Sequence, residues 1–525
     1  MPVNQWKFLI VLKDSLSKLT NDKNLQNVFG KDSFQVIYNK LPTDLNNTIT
    51  KYIGQISHFN RLARHDSETS GNLPTVFKTK PGIEAKVAPK WKNKGRVSKC
   101  SISSQTHHVI LSLESAENED ALLSRIEAFI SHLQQFPEGR NSAIRAGAVR
   151  ILLRIRQKVP NSNIQGAVRE ALAILGYSDP VKANGIRILS MDGGGIRGLL
   201  ILEMLKKLEE LTGKQVHELF DLICGVSTGA ILAFILGIHR KNVDEVAAGY
   251  KDISMEVFKQ SPLWGTSSLV WSQAYYDTSL WEKKLREHLG SDSLIRTSRD
   301  RECPKLCAIS AVVNQSRLSA YVFRNYSLPW RVKSQYFGGS HHEVWQAARA
   351  SAAAPTYFEE FKLGSFLHQD GGILVNNPTA VALHEAKLIW PETSVQCVVS
   401  FGTGRTIPSP GDFQKECEDS TSSTSWASKF YRILDSATDT EGVHIMLSDL
   451  LPANVYYRFN PYLTEMISMV EINPQKLEQL QRDAIMYLRR NEDKFQEAAK
   501  VLTEEKTYLQ KCKDVINFKR ELYGL

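Results

Sequence analysis

The sequence predicts an α/β fold with a largely parallel sheet, preceded by an α-helical armadillo-like module. From Gly185 onward, apolar runs of strand length alternate with helical patterning, and the first two run into glycine and then a helix. Before them, residues 118–178 carry consecutive short amphipathic helical patterns separated by prolines. The longest apolar stretch, Ile231 to Ile238, falls far short of the ~20 residues a membrane span requires.

Residues 1–74 show broken helical patterning to which no role is assigned. The apolar run near Met1 is short and lacks a small-residue cleavage site, so a secretory signal is not expected. A transit peptide is not expected either, because the first arginine is Arg61. Over 75–117 the composition becomes basic: Lys78, Lys80, Lys86, Lys90, Lys92, Lys94, Arg96 and Lys99 face one acid, Glu84, among prolines and glycines. This reads as a flexible linker. Its functional alternative is a tether to anionic lipid over 78–99, with Trp91 at the interface.

In the module, 118–180, Leu122, Ile126, Phe129, Ile130 and Leu133 recur at helical spacing. Val149, Leu152, Leu153 and Arg156 do so again, followed by Val168, Ala171, Leu172 and Leu175. Pro137 and Pro160 break these helices apart, and repeats of this kind form docking or packing surfaces, here for a protein partner. The domain over 185–400 contains strands read at Ile186–Met191, Leu219–Cys224, Lys305–Asn314 and Val395–Phe401. The remainder, 401–525, reads as a polar loop through Cys417–Ser428 and a helical extension packed on the core through Leu477, Leu480, Ala484 and Tyr487.

A net charge of +9 favours acidic partners, anionic lipid or nucleic acid, without choosing between them. The seven cysteines are odd in number, and Cys303 and Cys307 have no second pair spaced to complete a zinc site. Reduced thiols in a non-secreted protein, with no metal and no cofactor, are the expectation.

The strongest local signal is Gly225-Val226-Ser227-Thr228-Gly229, set between an apolar strand and the helical Ala230–Phe234. That is the context of a nucleophile elbow, in which a serine on a strained turn projects its hydroxyl from the end of the sheet. Gly225 and Gly229 must be small because the strand and helix backbones nearly touch there. A second signal, Asp192-Gly193-Gly194-Gly195-Ile196-Arg197-Gly198, also lies between strand and helix. Its glycines fit a dinucleotide loop, and equally a set of backbone N–H groups that holds an oxyanion. A dinucleotide site wants an acid at the end of the second strand, where this chain has Cys224, Gly225 and Ser227. The oxyanion-hole reading is therefore preferred, and losing one such donor costs about 3–4 kcal/mol of transition-state stabilisation.

Ser227 needs a base. His341, His342, His368, His384 and His444 are candidates for a Ser-His-Asp triad, but none has a context better than a surface or packing histidine. Asp370 stands out instead, ending a short apolar segment and followed by Gly371 and Gly372, which let the backbone turn away. A carboxylate of ordinary pKa, about 3.9, is a poor base unless its site is desolvated.

These three segments, in this order and approximate spacing, resemble the patatin-like phospholipases, which implies a three-layer core of that type. The flanking phrases Phe220–Phe234, Trp345–Ser351, Asn376-Asn377-Pro378 and Asp439–Leu447 are similar to the gamma-type calcium-independent phospholipases A2. The resemblance runs from about residue 120 to the C-terminus. It implies Ser227 as nucleophile, Asp370 as proton acceptor, Gly193, Gly194 and Gly195 as the oxyanion hole, and Arg197 as an anion contact, with Gly198, Gly371 and Gly372 in support. It implies hydrolysis of fatty acyl esters of membrane glycerophospholipids without calcium, at a membrane surface and with no nucleic-acid partner. The implied location is intracellular, on a mitochondrial, peroxisomal or endoplasmic reticulum membrane. The terminal Tyr523-Gly524-Leu525 departs from the peroxisomal tripeptide that some members carry. The rival readings are an esterase or acyltransferase with a Ser-His-Asp triad, a silent lipid-binding scaffold, and nucleotide binding at 193–198.

Overall fold

The computed structural model describes residues 99–259, 276–405, 440–465 and 467–523. The region 1–74, the basic residues before Lys99, Trp91 and the polar stretch Cys417–Ser428 lie outside them.

Five helices form the module: α1 (Lys99–Glu114), α2 (Glu119–Gln135), α3 (Gly139–Arg145), α4 (Ala148–Lys158) and α5 (Ser162–Leu175). The linker reading of 75–117 fails in its last part, because α1 begins at Lys99. Ile102, Thr106, Ile110 and Leu113 are buried along one side of α1, a helical repeat that the basic composition before it concealed. In α2 the buried face is Leu122, Ile126, Phe129, Ile130 and Leu133. Asn118 caps α2 by accepting from the Ala121 N–H at 2.8 Å. The left-handed Gly176, φ 79°, stops α5.

The sheet comprises β1 (Ile186–Met191), β2 (Leu222–Val226), β3 (Lys305–Val312), β4 (Ser319–Arg324), β5 (Phe337–Gly339), β6 (Phe361–Leu363), β7 (Phe366–Asp370), β8 (Val395–Phe401) and β9 (Tyr456–Phe459). Its order is β5-β4-β3-β2-β1-β8-β9, and β7 pairs with both β3 and β6. The centre is parallel from β3 through β2, β1 and β8 to β9, whereas β4 and β7 run antiparallel to β3. The second strand begins at Leu222 rather than Leu219. Gln215 and Glu218 form a reciprocal capping box that winds Val216–Leu219 into a helical turn.

Helices cover both faces: α6 (Gly198–Thr212), α7 (Thr228–Phe234), α8 (Val243–Phe258), α9 (Val344–Ser351), α10 (Thr379–Ile389), α11 (Thr440–Leu450), α12 (Pro474–Arg490), α13 (Glu492–Thr503) and α14 (Tyr508–Tyr523). Alternate residues of β1 serve opposite layers, Leu189 and Met191 packing with α6 and α7, Ile186 and Ile188 with α10. The C-terminal extension divides. Leu477, Leu480, Ala484 and Phe495 join the layer of α6, while Leu522 and Phe518 of α14 pack in the core of the helical module.

Candidate active site

Because β1 and β2 are parallel and in register at Met191 and Gly225, the loops that leave their carboxyl ends emerge side by side. The first loop carries Asp192–Gly195 and the second carries Ser227. Ser227 sits at φ 54°, ψ −120°, strained backbone for a residue with a Cβ. The turn is tight enough that a Cβ on Gly225 would lie 2.2 Å from the Gly229 carbonyl, and one on Gly229 would lie 2.3 Å from the Met191 oxygen. Those distances are the physical reason for a glycine on each side of the serine.

Two contacts fix Ser227. Its N–H donates to Ser351 Oγ at 2.9 Å, and the Ser351 hydroxyl in turn donates to the Ile309 carbonyl at 2.6 Å. Its own hydroxyl donates to Asp370 Oδ2 at 2.6 Å. Asp370 ends β7, opposite Ser310 of β3, and its other carboxylate oxygen accepts the Gly372 N–H at 2.7 Å. A Cβ on Gly371 would lie 2.2 Å from the Ile309 oxygen, so the chain can leave Asp370 on this path only as glycine. Burial raises the Asp370 pKa from 3.8 to about 6, against the pull of its bonds from Ser227 and Gly372. The carboxylate is thus more basic than usual yet still largely ionised near neutral pH.

The glycine loop abuts this pair: a Cβ on Gly193 would lie 3.2 Å from Ser227 Cβ. Its carbonyls are held from behind. Thr403 Oγ1 donates to the Gly193 oxygen at 2.8 Å; Thr228 Oγ1 and Tyr250 OH donate to the Gly195 oxygen at 2.8 and 2.9 Å. The Gly193 N–H donates to Asn376, to Oδ1 at 3.2 Å and to the backbone oxygen at 3.4 Å. The N–H groups of Gly194 and Gly195 make no hydrogen bond among the described residues. Half-buried Arg197 directs Nε to the Gly194 oxygen at 3.4 Å, and Gly198 packs on Thr228, whose Cγ2 would lie 2.4 Å from an added Cβ.

The histidines lie elsewhere in the bonding pattern. His342 meets Tyr321 OH and His368 meets Ser310 Oγ, both at 2.8 Å, while His384 meets Ser334 and His444 meets Ser448. His341 packs against His342. None bonds to Ser227 or Asp370 among the described residues. Burial pushes His368 down to about 4, which keeps it neutral.

Sequence reasoning missed Ser351, Asn376, Thr403 and Arg458 as parts of the site. Arg458 binds the Asp192 carboxylate at 2.6 and 2.9 Å and anchors the start of the glycine loop.

A family model for patatin-like phospholipases matches residues 189–383, the span that holds both loops and Asp370. The chain is 41% identical over 517 residues to calcium-independent phospholipase A2-gamma of Mus musculus, covering 98% of this chain and 66% of that protein. The chain belongs to the patatin-like phospholipase family. Its match to the Homo sapiens calcium-independent phospholipase A2-gamma is 45% identical and covers 81% of this chain and 54% of that one. Phospholipase A I of Arabidopsis thaliana is 31% identical, over 62% of this chain and 29% of its own length. This patatin-like chain therefore spans between about half and two thirds of the length of its gamma-type relatives. Among its described residues no helix is long and apolar enough to cross a membrane, and no three His, Cys, Asp or Glu side chains group as a metal site.

Proposed function

We propose that this chain is a calcium-independent phospholipase that hydrolyses fatty acyl esters of membrane glycerophospholipids through a Ser227–Asp370 dyad. The observation that carries the reading is the 2.6 Å hydrogen bond from Ser227, on its strained turn, to a buried carboxylate of raised pKa. Family membership and the gamma-type relatives support the substrate class.

In this reading Asp370 Oδ2 takes the Ser227 proton as Oγ attacks the ester carbonyl carbon. The carbonyl oxygen becomes an oxyanion, and the unengaged N–H groups of Gly194 and Gly195, on the loop that abuts Ser227, are its donors. Gly193 joins them when its N–H leaves Asn376. Collapse of the intermediate expels the lysophospholipid alkoxide, which recovers the proton from Asp370. Water then gives a proton to Asp370 and attacks the acyl-Ser227 ester; collapse releases the fatty acid, and Asp370 returns the proton to the departing Ser227 Oγ.

The surroundings of the site are part of the same proposal. The enzyme works from the surface of an organelle membrane, with the basic segment 78–99 toward anionic lipid, and the helical module serves as an armadillo-type docking surface for a protein partner. Gly185–Ser400 is taken as the catalytic domain.

The test is release of fatty acid from phosphatidylcholine vesicles with excess chelator present. Wild type is expected to turn over, and Ser227→Ala and Asp370→Asn to fall to background while remaining folded. Substantial hydrolysis by either variant, or a calcium requirement, would sink the reading.

A further inference from the structure

The amino ends of β2 and β3 lie at the end of the sheet remote from Ser227. There, between the helical module and the sheet, is a cavity of about 140 Å³ lined by Arg156 of α4, Arg169 of α5, Arg301, Lys305 of β3 and Trp390. The space is several times the ~30 Å³ that a water takes up in the liquid.

Charge pairing around this cavity is lopsided. Its acids are already engaged: Asp179 with Arg156 at 2.9 Å, Glu302 with Lys182 at 2.7 Å, Asp221 with Arg187 at 3.0 Å and Asp300 with Arg240 at 2.9 Å. Arg169, Arg301 and Lys305 have no carboxylate within 4.0 Å among the described residues. Arg169 directs Nε to the Arg299 carbonyl at 2.9 Å, and its guanidinium stands in the fields of Arg156 and Arg301, countered by those of Asp300 and Asp179. Burial lowers the pKa of both Arg169 and Lys305, and the more distant carboxylates, Asp179 for both and Asp300 for Arg169, offset it only in part; each is a half-buried cation with no carboxylate in contact. Guanidinium forks and an ammonium lining one space of this size match a tetrahedral oxyanion.

We propose that this cavity binds a phosphate group, a free phosphate or the phosphomonoester of a lipid headgroup, between Arg169, Arg301 and Lys305. The bound anion neutralises the three cations and ties the module to the sheet. It acts at a site separate from Ser227, so it stands or falls apart from the hydrolase reading.

The experiment uses the full chain and inorganic phosphate, against chloride at equal ionic strength. At about 10 mM phosphate the wild-type Tm is expected to rise by roughly 2–4 °C, since a ligand of the native state stabilises it by mass action. Arg169→Gln and Lys305→Gln should lose at least half of that shift. Arg301→Gln, at an exposed position that leaves folding intact, should lose a measurable part, and Lys283→Gln on the open surface none. A second arm measures sedimentation with phosphatidic acid vesicles against phosphatidylcholine vesicles. Binding to the former that inorganic phosphate displaces, and that Arg169→Gln abolishes, assigns the site to a lipid headgroup. A phosphate-induced Tm shift with vesicle binding indifferent to Arg169→Gln assigns it to a soluble phosphate. No wild-type shift, or equal shifts in wild type, Arg169→Gln and Lys305→Gln, would overturn the proposal.

Discussion

Arg458 grips both carboxylate oxygens of Asp192, at 2.9 and 2.6 Å, across 266 residues of sequence. Asp192 is the first residue of the glycine loop, and both side chains are buried. Burial lifts Asp192 to about 6, with the Arg458 charge pulling the other way. The end of β9 therefore sets the position of a loop at the end of β1, although the two strands are not neighbours: β8 lies between them.

Breaking this pair leaves a charge stranded in the interior. Arg458→Met should cost about 3–5 kcal/mol, the usual penalty for removing one member of a buried ion pair. Asp192→Asn combined with Arg458→Met should recover much of that loss. Chemical denaturation of the single and double variants measures both effects, and a single-variant loss under about 1 kcal/mol would show that the pair does not hold the loop.

Asp370 carries a stability signature as well as a chemical one. Its folded-state pKa, about 6, lies above its ordinary 3.8, so the folded protein binds more protons than the unfolded chain between those values. Stability from this group is accordingly full below pH ~4 and is lost as pH rises through about 6. Asp370→Asn is expected to be more stable than wild type at pH 7.5, by up to about 3 kcal/mol, with the gain closing toward pH 4. Hydrolysis by wild type should decline as pH falls through about 6, where Asp370 takes up its proton. Thermal melts across this range check the sign, and a variant less stable at pH 7.5 would contradict it.

At the elbow the constraint is steric. A methyl on Gly225 would lie 2.2 Å from the Gly229 carbonyl carbon and oxygen, both backbone atoms that cannot swing aside. Gly225→Ala should destabilise by more than about 4 kcal/mol, beyond the ordinary range for a point substitution. Soluble yield and Tm report it. A well-folded alanine variant would mean that strand and helix are not in contact here.

Ser351 supports the nucleophile without touching the reacting atoms. Ser351→Ala removes the acceptor of the Ser227 N–H and the donor to the Ile309 carbonyl. The cost should be about 1–3 kcal/mol of stability. Loosening of the strained turn should lower kcat by roughly tenfold with KM little changed. A change confined to KM would contradict a positioning role.

What the sequence made legible follows from range. The elbow, the glycine loop and the Asp370-Gly371-Gly372 turn are written in runs of a few residues, because each requires a special backbone over a short span. The strand at Val395–Phe401 was readable from its apolar run alone. Ser351, Thr403 and Arg458 were not readable as site residues, because each acts on a backbone group or charge far away in the chain. Nothing local to Arg458 marks it as the partner of Asp192. The start of β2 was misplaced because a capping box, Gln215 with Glu218, outweighs the apolar character of Leu219. The helix at Lys99 was hidden by the basic run before it, whereas its buried repeat of Ile102, Thr106, Ile110 and Leu113 includes a polar residue that breaks a simple apolar count.

The central claim is a serine activated by a single buried carboxylate. Covalent labelling by a fluorophosphonate probe, with excess chelator present, tests it most directly in wild type, Ser227→Ala and Asp370→Asn. The account predicts rapid labelling of wild type, none of Ser227→Ala, and labelling of Asp370→Asn slowed by at least about a hundredfold, the scale of a lost general base. Labelling of folded Ser227→Ala, or of Asp370→Asn at the wild-type rate, would contradict the dyad.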